Sequence, residues 1–466
     1  MDKLLVGKNV LITGAGGPID KSIANDMGKR ERSRLSKLAA IIERTAASGY
    51  AHIKLSGPAP AKPQDWSEAF RENLEKCILR FWIDHAIDFE YGGMIGWLDR
   101  NGYPIEPGTK SLVAQTRVVW TFSAAYQHNP QRIYQEIASH ALKFLRERMW
   151  DSHHGGFNWL VDREGRLTED KKQIYGQSFA MFGLAEFAQA FNDPIARQEA
   201  LELFHLVDDR AHDKVNGSYH QTYSSDWKKP LDDDRIFDIP GGKHQCAQTS
   251  LLEAFITLYT VTRDPKVRMR LEELLDISIN RLVDDQHGYT YVHLTDDWKP
   301  TTSNRSSYGH DIKLSWLLTT AAEALGYPSE PKVKSTSLAL VDHVLRDGFN
   351  WKQGGIDWEG PASGPATEKQ KAWWVQAEGL VGLLNAYQLT HEPRYWKAFE
   401  KQARYVFTCF VDHRYGEWFE NDNPYEQALG CKTNIWKEPY HQGRACLEII
   451  RRLATISNGN FITHKV

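Results

Sequence analysis

Tyr91-Gly92-Gly93-Met94-Ile95-Gly96-Trp97 is a glycine pair closed by an aromatic residue, and variants of it return five times further along the chain. They are His154-Gly155-Gly156-Phe157-Asn158-Trp159, Asn216-Gly217-Ser218-Tyr219-His220, His287-Gly288-Tyr289-Thr290-Tyr291, Gln353-Gly354-Gly355-Ile356-Asp357-Trp358 and Tyr415-Gly416-Glu417-Trp418-Phe419. The leading glycines stand 63, 62, 71, 66 and 62 residues apart. A near-constant period marks a repeat architecture, in which one unit cannot bury its apolar face alone and stacking with neighbours completes the core. Glycine supplies the positive φ of a tight turn, and the aromatic that follows can fold over the end of the stack.

Apolar residues recur at helical spacing on both sides of each turn, over about 66–87, 110–127, 131–149, 172–191, 194–208, 244–262, 266–283, 309–325, 335–346, 366–390, 394–411 and 439–456. Twelve helices in six pairs, with no long strands, predict an all-α (α/α)6 barrel, a toroid of inner and outer helices joined by short Gly-aromatic hairpin connectors. The barrel is expected to span residues 65–458, with 459–466 as a tail. An open helical solenoid is the alternative; the lack of an evident polar capping repeat favours closure.

Residues 1–64 read as an extension with no independent domain, ending in the Pro-rich linker 54–64. Within it, Val10-Leu11-Ile12-Thr13-Gly14-Ala15-Gly16-Gly17-Pro18-Ile19-Asp20 resembles the start of a short-chain dehydrogenase. Pro18 and Asp20 stand where that fingerprint carries glycines, so backbone approach to a pyrophosphate is obstructed.

A net charge of −3 leaves no basic footprint, which argues against nucleic acid as a partner. The five cysteines are widely spaced without any C-x-x-C, so neither a disulfide framework nor a metal site is expected, and a reducing, cytoplasmic setting is. Neither a leader pattern nor an apolar run of membrane-spanning length is present, so no membrane association is expected. Sixteen Trp residues suggest aromatic-lined clefts, or bulky filler between helices.

Two histidines stand at the mouths of predicted helices: His310 in Tyr308-Gly309-His310-Asp311-Ile312-Lys313 and His441 in Trp436-Lys437-Glu438-Pro439-Tyr440-His441. The positive end of a helix dipole disfavours imidazolium and keeps such a histidine neutral and basic. Either alone is compatible with a structural role. Their equivalent placement in the repeat makes them candidates for chemistry.

These pieces, with Gln115-Thr116-Arg117-Val118-Val119-Trp120, Ile174-Tyr175-Gly176-Gln177 and Trp373-Trp374-Val375-Gln376-Ala377-Glu378, resemble the N-acylglucosamine 2-epimerase superfamily, which includes cellobiose 2-epimerases and mannose-type isomerases. The resemblance covers about residues 65–458. It implies an (α/α)6 barrel performing cofactor-independent proton transfer at C2 of a reducing sugar through an enediolate. His310 and His441 match the paired acid–base histidines and Arg117 the enediolate-side arginine. Trp373 and Trp436 match sugar-stacking tryptophans, Glu378 an acidic site residue, and Tyr175 falls in a matching motif as a substrate-binding candidate. A monomer or homodimer acting on a small sugar is expected.

Two positions depart from the family pattern. Ser250 stands where many members carry a third histidine, with His244 a conceivable substitute. Lys313 stands where a glutamate is usual, and it either receives an anionic or derivatised sugar, faces solvent, or pairs with Asp311 or Glu378. Asp357, Glu359, Glu378 and Glu417 leave open a lyase or glycoside hydrolase on the same barrel, and loss of catalysis would leave a sugar-binding relative.

Overall fold

The computed structural model describes residues 62–228, 242–301 and 305–457. The dehydrogenase-like stretch and most of the linker lie outside the described residues. Pro63 and Gln64, read as linker, instead open the first helix, with Pro63 at the N-terminal position that needs no N–H donor.

The helical periodicity is realised as twelve rods. The outer ones are α1 (Pro63–Glu72), which runs through a π-helical turn into α2 (Arg80–His85), then α4 (Arg132–Phe144), α6 (Pro194–Ala211), α8 (Pro265–Ile277), α10 (Pro331–His343) and α12 (Pro393–Cys409). The inner ones are α3 (Leu112–His128), α5 (Ile174–Phe191), α7 (Gln245–Thr262), α9 (Tyr308–Leu325), α11 (Trp373–Thr390) and α14 (Tyr440–Ser457). The short α13 (Pro424–Leu429) has no counterpart among the predicted helices, and the span predicted from residue 366 becomes helical only at Trp373.

Each inner helix packs on the next, α3 on α5, then α7, α9, α11 and α14, and α14 returns to α3. The ring is therefore closed. The chain ends make the last pair: α14 packs on α1, which precedes it by the whole length of the barrel. A second closure lies at the connector end, where Leu98 pairs with Thr433 in a short antiparallel ladder.

Inner and outer helices differ because their surroundings differ. On α12 the buried residues Tyr395, Ala398, Phe399, Gln402, Ala403 and Val406 recur every three or four positions, one apolar stripe against the ring. On α5 nearly every residue is buried, since both faces meet other helices. Gly183 lets α5 approach α3 closely: a Cβ there would lie 2.8 Å from the Thr116 carbonyl oxygen. The inner-to-outer turns carry a local signal, a left-handed residue followed by an acidic N-cap and proline. Asn192-Asp193-Pro194 and Arg263-Asp264-Pro265 are examples, with Asp193 and Asp264 accepting backbone N–H bonds from the first helical turn.

The six leading connector glycines all have positive φ, from 73° to 94°. The hairpins form as isolated bridges such as Trp150 to Phe157 and Val411 to Trp418. An acidic residue four positions before the glycine caps most of these turns and meets a buried lysine from the segment leading to the next inner helix: Lys110 with Asp88 at 2.7 Å, Lys172 with Asp151 at 2.8 Å, Lys243 with Asp213 at 2.9 Å and Lys432 with Asp412 at 2.8 Å. These pairs tie four of the six hairpins to the start of an inner helix, and the six inner N-termini are presented at one end of the ring. No helix among the described residues is long and apolar enough to cross a membrane.

Candidate active site

A cavity of about 1010 Å³ opens at that end, and each inner helix contributes to its wall. Arg117 comes from α3, Tyr175 from α5, Cys246 from α7, His310 from α9, Trp374 from α11 and His441 from α14. Except for Arg117, one turn further in, these side chains sit in or beside the first turn, where converging dipole ends disfavour extra positive charge.

His441 is held from behind. Its Nδ1 lies 2.7 Å from Glu378 Oε1, whose carboxyl burial raises to about 7; when that carboxyl is ionised the proton sits on Nδ1 and a lone pair is left on Nε2. Glu378 is completely buried, accepts from Trp316 Nε1 at 3.0 Å and pairs with Arg444. It stands behind the cavity wall and reaches it through His441. Burial, with Arg117, Lys313 and His310 adding repulsion, holds the His441 pKa well below its ordinary value.

His310 has neutral partners. Ser307 Oγ lies 2.8 Å from Nδ1 and Cys246 Sγ lies 2.8 Å from Nε2. Burial, then His244 and Lys313, also push its pKa well down. Both imidazoles are therefore neutral at neutral pH.

The Arg117 guanidinium donates to Glu438 Oε1 at 2.6 Å and to Tyr175 Oη at 2.9 Å, and lies over the Phe179 ring at 4.0 Å. Lys313 neither faces solvent nor pairs with Asp311 or Glu378: it forms an ion pair with Glu253 Oε2 at 2.9 Å. Asp311 is directed away from the cavity to Thr290, Ser306 and His343, and the Oε1 of Glu378 is taken by Arg444 and His441. Glu253 also meets Arg444 and the Tyr440 hydroxyl. Three basic side chains (Arg117, Lys313, Arg444) thus face three acidic ones (Glu438, Glu253, Glu378) in one buried cluster.

Trp373 and Trp436 both reach the cavity, but the indole packed against both histidines is Trp374. Its ring centroid is 4.9 Å from that of His310 and 5.9 Å from that of His441. Trp373 is only 6% exposed, with Lys437 over its ring. Its position beside Trp373 and one helical turn before Glu378 was the available signal for Trp374. Cys246, Glu253, Tyr440 and Arg444 were missed because their importance depends on helices far apart in sequence. Ser250 lines the cavity; His244 does too, but its Nδ1 accepts the Cys246 backbone N–H, and burial, with His293, pushes its pKa down to about 3.

The carboxylates that left hydrolysis open are held by other partners. Asp357 binds Lys371 at 2.5 Å, and Glu359, on the cavity wall, meets Arg305 at 2.5 Å. Glu417, fully buried, accepts from Trp82 Nε1 at 2.6 Å and Gln442 Nε2 at 2.8 Å.

The family model of N-acylglucosamine 2-epimerase (GlcNAc 2-epimerase) matches residues 93–445. A cellobiose 2-epimerase of Dictyoglomus turgidum is 30% identical over 401 residues, 83% of this chain and 98% of its own length. A D-mannose isomerase of Marinomonas mediterranea is 25% identical over 409 residues, with 83% and 98% covered. The structure of cellobiose 2-epimerase from Spirochaeta thermophila superposes with a TM-score of 0.78 at 32% identity, covering 85% of this chain and 98% of that one.

Proposed function

The chain belongs to the N-acylglucosamine 2-epimerase family, and from that premise we propose that it moves the C2 proton of a reducing sugar between His310 and His441. The observation that carries this reading is that two neutral imidazoles, both packed against Trp374, line one cavity with the Arg117 guanidinium.

The open-chain sugar places C2 between the imidazoles, with an edge against Trp374 and Trp436. One neutral imidazole takes the C2 proton, and the C–H electron pair becomes the enediolate, whose negative oxygen is met by Arg117. The other imidazole, charged with a proton from water as the substrate binds, delivers it to the opposite face of C2 for epimerisation or to C1 for isomerisation. The first histidine then releases its proton to water, and the balance closes. Glu378 favours the imidazolium form of His441 once it arises, as a buried carboxylate behind a histidine does.

Because Glu253 matches the charge of Lys313, the pocket has no surplus cation demanding an anionic group, and a neutral sugar fits it better than a carboxylated or phosphorylated one. The cellobiose epimerases among its relatives support testing disaccharides beside monosaccharides.

The test incubates the protein in D₂O with aldoses, acylamino sugars, β-linked disaccharides and anionic sugars, following loss of the C2–H signal by NMR. Exchange with a neutral aldose or disaccharide, abolished in His310→Ala and His441→Ala, is the expected result. No exchange with any sugar, or exchange undiminished in both variants, overturns the reading.

A further inference from the structure

Cys246 is the N-terminal-turn residue of α7 whose side chain meets His310, and neither composition nor the helix pattern marks it. Its Sγ lies 2.8 Å from His310 Nε2, the nitrogen on the cavity side, while Ser307 Oγ lies 2.8 Å from Nδ1. The ring is thus fixed at both nitrogens by uncharged partners, whereas His441 is fixed at Nδ1 by a carboxylate.

A hydroxyl donates or accepts equally well, so Ser307 does not by itself choose a tautomer. A thiol is a poor acceptor for an imidazole N–H but can donate its own proton to an imidazole lone pair. Burial raises the Cys246 thiol to about 12, so it is protonated at neutral pH and available as a donor.

We propose that Cys246 is a positioning residue for His310: its S–H donates to Nε2, keeping the lone pair there and the proton on Nδ1, toward Ser307. In this tautomer His310 presents a base to the cavity. When the sugar binds, rotation about the Cys246 Cα–Cβ bond swings Sγ off Nε2 and frees that lone pair for the C2 proton; no covalent bond to sulfur forms or breaks. The proposal rests on the His310–His441 reading only for its kinetic consequence, because the tautomer is a property of the free protein.

Two measurements separate the failures. Histidine ¹⁵N chemical shifts of the sugar-free protein, with His310 assigned by its loss in His310→Gln, are expected to show one dominant Nδ1–H tautomer. Cys246→Ala should mix the tautomers, and so should Cys246→Ser, because a hydroxyl accepts as readily as it donates. In C2–H exchange, Cys246→Ala should lower kcat by about tenfold, the order of one lost hydrogen bond. The acid limb of its pH profile should also move to higher pH, because a donor to the neutral imidazole is gone, and Cys246→Ser should recover only part of both. An Nε2–H tautomer in the wild type, or Ala and Ser variants indistinguishable from it in shifts and pH profile, overturns the proposal. Clean tautomer shifts without sugar exchange in the wild type would overturn the proposed function and leave the role of Cys246 standing.

Discussion

Lys313 on α9 and Glu253 on α7 form an ion pair of 2.9 Å with side chains only 6% and 4% exposed. Glu253 has a second cation in Arg444, while Lys313 has no second ion-pair partner among the described residues. Removing one member of a buried pair strands the other's charge, at a cost of about 3–5 kcal/mol. Glu253→Gln, which strands Lys313, should therefore destabilise more than Lys313→Met, which leaves Glu253 with Arg444. Urea unfolding of both single variants and the double variant measures this. Equal losses, or strict additivity, would contradict the pairing.

Between His441 and Glu378 the distance is 2.7 Å, and no other acid contacts that imidazole among the described hydrogen bonds. His441→Ala should cost about 10²–10⁴ in kcat, the usual range for a placed acid–base group. Glu378→Gln keeps an acceptor for Nδ1–H but loses the charge that steadies imidazolium, so kcat should fall by about tenfold or more with KM little changed. Initial-rate kinetics on the two variants decide it; a change confined to KM would place Glu378 in ground-state binding instead.

Both histidine pKa values are lowered by burial, so the folded protein holds neutral imidazoles where the unfolded chain takes up protons near its ordinary value. A depressed folded pKa contributes stability that is present above about 6.5 and lost as pH falls toward the folded value. Unfolding midpoints should accordingly decline on acidification below about 6.5, and any acid limb of kcat/KM near 7 belongs to Glu378, which burial raises to about 7. Urea titrations at neutral and acid pH and pH–rate profiles of the wild type and Glu378→Gln check both; midpoints that hold on acidification, or an acid limb near 7 that persists in Glu378→Gln, would show that burial does not govern these groups.

The two adjacent tryptophans of α11 should behave differently. Trp374 lies against both imidazoles, while Trp373 is 6% exposed. Trp374→Ala should raise KM and lower kcat with modest loss of stability. Trp373→Ala should cost about 3–5 kcal/mol of stability, the range for truncating a large buried aromatic. Thermal unfolding beside kinetics separates them, and identical behaviour would mean that both rings serve the same surface.

Gly309 precedes His310, and a Cβ on it would stand 2.5 Å from Trp374 Cη2 and 2.7 Å from Val375 Cγ2. Gly309→Ala must push Trp374 from its place against the histidines, costing about 1–3 kcal/mol as overpacking does. Its activity loss should exceed that of an alanine placed on an exposed turn of α9. Intrinsic fluorescence and C2–H exchange read the displacement; wild-type values in both would show that the indole can yield freely.

Much of the barrel was legible in the chain because its cues are local. The connector glycines need positive φ, the outer helices carry one apolar stripe, and the Asn192-Asp193-Pro194 type of turn is written in three adjacent residues. The boundary at Trp373 was missed because residues 366–372 contain good helix formers and no breaker yet take part in the extended pairing of Glu359 with Glu368 and Ala372 with Asn421. His310, His441 and Arg117 were legible through motif resemblance, and they share a cavity.

What the sequence by itself determined was the repeat, the helices and the identity of the polar groups at their mouths, since each depends on residues within a turn or two of one another. Only the tertiary structure decided the partners. Closure of the ring brought Arg444 of α14 beside Glu253 of α7 and Glu378 of α11, took Lys313 to Glu253 rather than to Asp311, and set Cys246 against His310. Those choices follow from which buried charge or lone pair lies within about 3 Å, and in a low-dielectric interior that distance decides the interaction.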